Sequence, residues 1–238
     1  MTKTIILTGA ICPSFPVVRN DPQTRLVDYL CAIRRWLNVQ TLDRVIYCDA
    51  SGCTIPESIF ESEKFESLTM DASEHALNYE AGRAEAECMQ FVFENSRKPI
   101  GSFYKCTGRL FVQNFEPLQD AISQHVDSPL FLRRWTLHHS DWADTRFFKM
   151  EAAFFQKTIS PRILELTGRA FRGLVIEALF GEYCSQAIAF PEPHYVGHCG
   201  HDGCPYAFQY TANEIQVARK LLVKFGTCCF LRTHGLGS

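Results

Sequence analysis

The pattern of hydrophobic and polar positions predicts strands that alternate with helices in the first half of the chain. The β-branched, apolar run 4–7 indicates a buried first strand. Apolar residues spaced three and four apart predict a helix over 26–37, and Pro22 suits its first turn. A second strand over 43–49 ends on the carboxylate of Asp49. Strand, helix and strand in this order form a βαβ unit.

The same reading continues to the end of the chain. Further strands are predicted over 64–70, 130–132 and 188–190, and further helices over 81–92, 171–179 and 215–225. Residues 110–118 fit a helix or an extended segment, and residues 144–149 fit a strand or the start of a helix. Alternation of this kind is typical of an α/β protein. We predict a single Rossmann-like α/β domain over residues 1–238, with a mostly parallel central sheet flanked by helices.

The composition is that of an ordinary globular protein. The 238 residues are 46% hydrophobic, and a formal net charge of −2 argues against nucleic-acid binding through a broad basic face. No run reaches the roughly 18 consecutive apolar residues that a membrane span requires. The 11 cysteines are odd in number and scattered, often in apolar surroundings. This usage favours free thiols and a reducing, cytoplasmic location.

The segment 102–112 concentrates polar chemistry between two aromatic and aliphatic runs. It holds Lys105, Thr107, Gly108 and Arg109 within five positions. Glycine allows a partner to approach the backbone closely, and the planar guanidinium of arginine fits a phosphate or a carboxylate. We interpret the segment as a binding site for an anionic small molecule. The alternative is a junction between two elements that is held by a structural salt bridge.

The loops after the first two strands carry further candidates, because ligands of open parallel sheets bind at the carboxyl ends of the strands. The candidate binding residues of these loops are Thr8, Gly9, Arg19, Asp21, Arg25, Asp49 and Ser51. Asp49 is a candidate for a ribose hydroxyl or a base edge, and Arg19 or Arg25 for a phosphate. A solvated helix face is the alternative for Arg25. The chain lacks both the Gly-x-Gly-x-x-Gly and the P-loop fingerprints, which argues against a dinucleotide enzyme or a P-loop kinase.

Two acidic positions are candidates for a catalytic base. Asp144 stands next but one to Arg146, so it could be a base or a metal ligand, or half of a salt bridge. Glu177 lies opposite the apolar stripe of its predicted helix, between Gly173 and Gly181. These small neighbours would let a ligand or another segment approach its carboxylate, and an exposed helix glutamate is the alternative.

The loop 194–206 is rich in glycine, histidine and cysteine. Its glycines, Gly200 among them, suit a backbone that wraps a ligand, with His198 or Asp202 in contact. An ordinary turn is the alternative. Four potential zinc ligands lie within seven residues, namely His198, Cys199, His201 and Cys204. Structural zinc sites usually need two ligand pairs separated by an intervening segment, and a second pair is missing here. A zinc-stapled interaction module is therefore a minor alternative.

Six short segments follow one another along the chain. The segments are Thr-Gly-Ala-Ile at 8–11, Arg-Asn-Asp-Pro at 19–22, Asp-Ala-Ser-Gly at 49–52, Tyr-Lys-Cys-Thr-Gly-Arg at 104–109, Asp-Thr-Arg-Phe-Phe at 144–148 and Gly-His-Cys-Gly-His-Asp-Gly at 197–203. In this order they resemble small bacterial glycosyltransferase-like proteins of surface-polysaccharide and O-antigen gene clusters. The recurring feature of these proteins is a Lys-x-Thr-Gly-Arg core.

The resemblance implies a GT-A-like fold and the transfer of a sugar from a nucleotide sugar to a saccharide or lipid-linked acceptor. A lipid-linked acceptor would bring the protein into peripheral contact with the inner face of the membrane. The resemblance implies that Thr8, Arg19, Asp49 and Ser51 surround the nucleotide, and that Lys105, Thr107 and Arg109 lie near its diphosphate or the sugar. Another nucleotide-using enzyme, such as a nucleotidyl- or methyltransferase, is the alternative.

The implied mechanism needs stabilisation of the leaving diphosphate. GT-A enzymes usually carry an Asp-x-Asp metal motif, which this sequence lacks, so a requirement for Mg²⁺ or Mn²⁺ is left open. Lys105 and Arg109 are candidates to neutralise the diphosphate instead. If transfer inverts the configuration of the sugar, a base must take the proton of the acceptor, and the candidates are Asp144, Glu177 and His198.

Overall fold

The computed structural model describes residues 2–14, 16–72, 81–125, 129–134, 143–165, 187–188, 191–199 and 202–225. The strands are β1 (Thr4–Gly9), β2 (Arg44–Asp49), β3 (Phe65–Thr69), β4 (Ser102–Thr107), β5 (Phe111–Val112), β6 (Leu130–Arg134), β7 (Ala143–Glu151), β8 (Ala187–Ile188) and β9 (Tyr195–Val196). The helices are α1 (Pro22–Leu37), α2 (Ala81–Asn95), α3 (Phe115–Ser123), α4 (Ala152–Phe154), α5 (Ser160–Glu165) and α6 (Ala212–Phe225). A 3₁₀ helix spans Glu57–Ile59, and a π-helical segment, Phe155–Ile159, joins α4 to α5.

One seven-stranded sheet forms the centre of the described structure. Its strand order is β3-β2-β1-β4-β7-β6-β8, and four of its six strand pairings are parallel. β7 runs antiparallel to both of its neighbours. The predicted fold class, α/β with a mostly parallel sheet flanked by helices, is confirmed, whereas the extent of a single domain over 1–238 stays a prediction.

Register decides which loops meet at the edge of this sheet. Thr8 of β1 pairs with Cys48 of β2 and with Thr107 of β4, so these three parallel strands end together. Because β7 is antiparallel to β4, with Phe147 opposite Cys106, its first residues lie at the same edge. The segments that follow β1, β2 and β4 therefore meet the segment that begins β7.

Local hydrogen bonding and Pro22 fix the start of helix α1. The Asp21 carboxylate caps its first turn by accepting a hydrogen bond from the Thr24 amide at 2.7 Å, and Pro22 occupies the first helical position. The apolar stripe of the helix is buried in the core, with Trp36 fully buried. The Trp36 indole donates to the Leu110 carbonyl at 2.9 Å. This bond fixes α1 against the segment that follows β4.

The two ambiguous segments are now assigned. Residues 110–118 divide into the short strand β5 and the start of α3, and residues 144–149 form the middle of β7. The predicted helix over 171–179, with Glu177, lies outside the described residues, and of the predicted strand 188–190 only Ile188 is described. None of the described helices is long and apolar enough to cross a membrane.

We expect Glu214→Gln to destabilise the protein at neutral pH. The Arg35 side chain on α1 donates to both Glu214 oxygens on α6, at 2.6 and 2.9 Å, and this contact lowers the pKa of Glu214 to about 2. An unfolded glutamate titrates near pH 4.3, so the stabilisation is complete above that pH and is lost as the pH falls towards 2. A loss of about 1 kcal/mol would lower the Tm by about 2–4 °C in a chain of this size.

Calorimetric melting of both proteins between pH 7 and pH 3 checks this expectation. The Tm difference should shrink as the solution becomes more acidic. Glu61→Gln is the matched control, because Glu61 lies 3.8 Å from Lys224 and both side chains are exposed. A Tm difference for Glu214→Gln that is independent of pH would contradict the ion pair.

Candidate functional site

A cleft of about 150 Å³ opens at the sheet edge where β1, β2 and β4 end. Five of the predicted binding residues line it, namely Thr8, Gly9, Arg25, Ser51 and Arg109. Thr107 ends β4 in register with Thr8, and the Gly108 amide donates to the Thr8 carbonyl at 2.8 Å. The loops after β1 and β2 and the turn after β4, which contain the predicted binding residues, therefore meet around one concave surface.

The buried carboxylate of Asp49 orders the loops beside the cleft. It accepts five hydrogen bonds, and the donors are the amides of Ile11, Ser51 and Cys53 and the hydroxyls of Tyr47 and Ser51. Burial raises the pKa of Asp49, and the hydrogen bonds oppose that rise. Since Ile11 follows β1 and Ser51 follows β2, a single side chain holds both loops. Ser51 extends the link, because its hydroxyl accepts from the Cys12 amide at 2.9 Å.

Tyr29 fills the space that two of the candidate glycines leave open. A Cβ at Gly9 would lie 2.5 Å from the Tyr29 ring, and a Cβ at Gly108 would lie 2.9 Å from the Thr8 carbonyl oxygen and 3.1 Å from that ring. The Tyr29 hydroxyl accepts from the Ala10 amide at 3.0 Å. The close approach that the sequence suggested for these glycines is thus made by a side chain of α1 and by the backbone of β1.

Two arginines of the cleft have no carboxylate partner among the described residues. Arg25 is 4% exposed, and its guanidinium donates to the carbonyls of Ala10 and Arg19 and to the hydroxyl of Tyr29. Arg109 is half-buried and donates from Nε to the His198 carbonyl at 3.0 Å.

Four other buried or half-buried arginines of the described structure have their charge balanced by a carboxylate. The pairs are Arg19 with Asp28, Arg35 with Glu214, Arg44 with Glu66 and Arg146 with Asp144. A buried cation without a counter-ion is costly, because water no longer solvates it. An anion bound in the cleft would compensate Arg25 and Arg109.

Lys105 lies under the cleft rather than in its lining. Its side chain is 1% exposed, and its ammonium group donates to the Thr145 carbonyl at 2.9 Å and forms an ion pair with Glu85 Oε1. The same Glu85 oxygen accepts from the Thr8 hydroxyl at 2.7 Å. Lys105 therefore forms the salt bridge that was the alternative interpretation of this segment, while Arg109 four positions later reaches the cleft.

Asp144 and Arg146 lie at the start of β7, on the same edge of the sheet. Asp144 is 1% exposed and accepts hydrogen bonds from the Arg146 amide and guanidinium and from the Tyr195 hydroxyl. The Arg146 guanidinium also lies over the rings of Tyr195 and Tyr206, 4.5 and 5.4 Å from their centroids. In this arrangement Asp144 is an internal partner that holds Arg146 in place.

Three further candidates lie around a second hollow of about 440 Å³ between α1 and α6. Arg19, Asp21 and His198 line it. Arg19 is engaged by Asp28, with Nη2 2.8 Å from Oδ1, and Asp21 caps α1. Burial and the charges of Arg19 and Arg109 lower the pKa of His198, so its imidazole is neutral at pH 7. Its Nδ1 is buried without a hydrogen-bond partner in the described structure.

The late loop is described in part. Asp202 is exposed, and its carboxylate accepts from the Cys204 amide at 2.9 Å. Gly200 and His201 lie outside the described residues, as does Glu177, so their predicted roles stay predictions.

A requirement for Mg²⁺ or Mn²⁺ stays a prediction, and the described residues offer no cluster of ligands for such an ion. No three of their histidine, cysteine, aspartate and glutamate side chains are grouped so that they could hold a metal ion. Asp49 and Asp144, the two acidic candidates at the sheet edge, already accept hydrogen bonds from protein donors. We therefore assign no step to a metal.

Nine lining residues were absent from the sequence-based candidates, among them Cys12, Tyr29 and Glu85. Tyr29 belongs to the apolar stripe of α1, where its periodicity indicates core packing. Glu85 stands among other glutamates of α2, and only the tertiary structure distinguishes it. Cys12 lies in an irregular loop, with its Sγ 3.5 Å from that of Cys53. No local pattern could have identified these three residues.

We expect Asp49→Asn to destabilise the protein strongly. An asparagine amide would turn two N–H groups towards donors that now point at a carboxylate, which leaves buried donors without acceptors. The loss should be about 3 kcal/mol, measured as the free energy of unfolding in urea. Asp43→Asn is the control, because the Asp43 carboxylate accepts one exposed hydrogen bond, from the Lys3 amide. Equal stability of the two variants would show that Asp49 does not order the loops.

Comparison with known proteins gives similarity of fold and no family. No protein-family model matches the chain, and no curated protein matches its sequence. A glycosyltransferase involved in glycosylation of the major capsid of PBCV-1 is similar at a TM-score of 0.51 and 13% identity, over 94% of this chain and 100% of that one. An active-site mutant of LgtC is similar at 0.50 and 9% identity, over 79% of this chain and 72% of that one. These likenesses confirm the GT-A-like α/β fold that the sequence predicted.

Proposed function

We propose that the protein is a nucleotide-using transferase, and that it transfers a sugar from a nucleotide sugar to a saccharide or lipid-linked acceptor. The observation that carries the proposal is the pair of arginines, Arg25 and Arg109, that line one cleft without a carboxylate partner among the described residues. The proposal includes a role in surface-polysaccharide synthesis and a cytoplasmic location, at the inner face of the membrane if the acceptor is lipid-linked.

The geometry of the two guanidinium groups suits a diphosphate. Three protein acceptors fix Arg25, so its orientation costs no further side-chain entropy when a ligand binds. Arg109 uses its Nε for the His198 carbonyl, which leaves its terminal nitrogens for phosphate oxygens. Low exposure at Arg25 strengthens the attraction, because water screens buried charges less. The similar fold of the PBCV-1 capsid glycosyltransferase supports sugar transfer as the reaction.

The proposed reaction uses these arginines to stabilise the leaving group. The bond between the anomeric carbon of the sugar and the diphosphate oxygen breaks, and negative charge grows on that oxygen next to Arg25 and Arg109. The acceptor oxygen forms the new bond to the anomeric carbon. Of the two predicted bases that the structure describes, His198 has the neutral imidazole that a base needs, although its side chain lines the second hollow, whereas the Asp144 carboxylate is engaged by Arg146.

We expect Arg109→Met to weaken binding of a nucleoside diphosphate by about 10- to 100-fold, the loss for hydrogen bonds to a charged group. Calorimetric titration with UDP, GDP and CDP measures this effect. Among the described residues, the Arg109 side chain makes one hydrogen bond to the protein, so the Tm should change little. Arg34→Met is the control, because Arg34 is exposed on α1 and does not line the cleft. Unchanged affinity for every nucleoside diphosphate would contradict the assignment.

Product analysis separates sugar transfer from the other nucleotide-using reactions. A glycosyltransferase releases a nucleoside diphosphate from a sugar nucleotide such as UDP-glucose or GDP-mannose. A nucleotidyltransferase instead releases pyrophosphate from CTP in the presence of a sugar phosphate. Thermal-shift screening with these compounds and with S-adenosylmethionine selects the ligand class before turnover is measured. Stabilisation by S-adenosylmethionine alone would replace the proposal with a methyltransferase.

A further inference from the structure

Glu85 brings a carboxylate into a cleft that otherwise favours anions. It is carried by α2, and its side chain is one-quarter exposed. Its Oε1 accepts from the Thr8 hydroxyl at 2.7 Å and contacts the Lys105 ammonium. Its Oε2 has no hydrogen-bond partner among the described residues, although the side chain lines the cleft. One oxygen is therefore anchored by the protein, and the other is available to a ligand.

The anchoring fixes the direction of that second oxygen. Lys105 is almost fully buried and is itself held by the Thr145 carbonyl, so it cannot follow Glu85 to another rotamer at low cost. Thr8 lies at the carboxyl end of β1, within the central sheet. Rigid support of this kind pre-organises a group for binding, since little side-chain entropy is lost when a ligand arrives.

The charge of the cleft restricts what Glu85 can contact. Phosphate groups would lie beside Arg25 and Arg109, and a carboxylate repels them. The part of the ligand at Glu85 must therefore carry no negative charge and must donate hydrogen bonds, because an ionised carboxylate only accepts. The hydroxyl groups of a nucleotide sugar meet both conditions. They come from two sources, the ribose and the transferred sugar.

We propose that Glu85 Oε2 accepts a hydrogen bond from a hydroxyl of a vicinal diol in the bound nucleotide sugar. Lys105 and Thr8 are then positioning residues that act through Glu85. This inference rests on the function proposed above, and it assigns to Glu85 the recognition of the carbohydrate part of the ligand. It also accounts for the burial of a lysine in β4, whose ammonium group reaches the ligand only through Glu85.

Two variants separate a role of Glu85 in ligand recognition from its role as the counter-ion of Lys105. Lys105→Met removes the buried ammonium group and keeps the Glu85 carboxylate. Lys105→Met combined with Glu85→Met removes both charges and leaves no buried lysine without a counter-ion, so the comparison does not depend on a damaged core. Melting curves of both variants establish that they are folded.

Calorimetric titration of the parent and both variants provides the test. The probes are a nucleoside diphosphate, its 2′-deoxy form and the corresponding sugar nucleotide, taken from the uridine, guanosine or cytidine series that binds the parent most tightly. We expect the double variant to bind any probe that carries the hydroxyl recognised by Glu85 roughly 10- to 100-fold more weakly than Lys105→Met does. Lys105→Met should keep a reduced form of the parent's preference among the three probes, because the Thr8 hydroxyl still holds Glu85 Oε1.

The pattern of loss identifies the source of the hydroxyl. If the double variant no longer distinguishes the diphosphate from its 2′-deoxy form, Glu85 contacts the ribose. If it binds both of these normally but loses affinity for the sugar nucleotide, Glu85 contacts the sugar. Equal binding of every probe by the two variants would overturn the inference, and Glu85 would then be only the counter-ion of Lys105. If the parent binds no probe at all, the proposed function fails, and the role of Glu85 fails with it.

Discussion

The edge of the sheet at which the cleft opens depends on the hydrogen bonds that the buried Asp49 carboxylate accepts. Loops at the carboxyl ends of parallel strands have backbone groups that no strand pairs, and these groups need partners when they are buried. Asp49 supplies acceptors for amides of the loop after β1 and of the loop after β2. Both loops are thereby held against the core at the place where the cleft opens.

The cationic residues around this edge fall into two groups, those paired with a carboxylate and those with neutral partners. Lys105 and Arg146 each have a carboxylate partner, and these ion pairs fix the floor and one side of the edge. Among the described residues, Arg25 and Arg109 have hydrogen-bond partners that are neutral, so their positive charge has no counter-ion there. Arginine and lysine are not equivalent in this respect, because a guanidinium can be held by the backbone and still present donors to an anion.

The Tyr-Lys-Cys-Thr-Gly-Arg segment shows how far a linear pattern can be interpreted. Alternation along β4 sends Lys105 and Thr107 to one face of the sheet, and the turn after β4 frees Arg109 from that alternation. The sequence therefore identified the segment as polar and predicted a binding role for it, but it could not distinguish the two cations. Their roles follow from Glu85 and His198, which are 20 and 89 positions away from their partners.

The sequence by itself determined the α/β order of elements, the place of Pro22 in the first turn of α1 and the polar ends of β1, β2 and β4. These features depend on local periodicity, capping and strand ends, which neighbouring residues specify. Only the tertiary structure placed Arg19 and His198 on a second hollow, closed Gly9 and Gly108 against Tyr29, and set Glu85 above Lys105. Such contacts join residues far apart in the chain, and they are set by strand register and helix packing rather than by spacing.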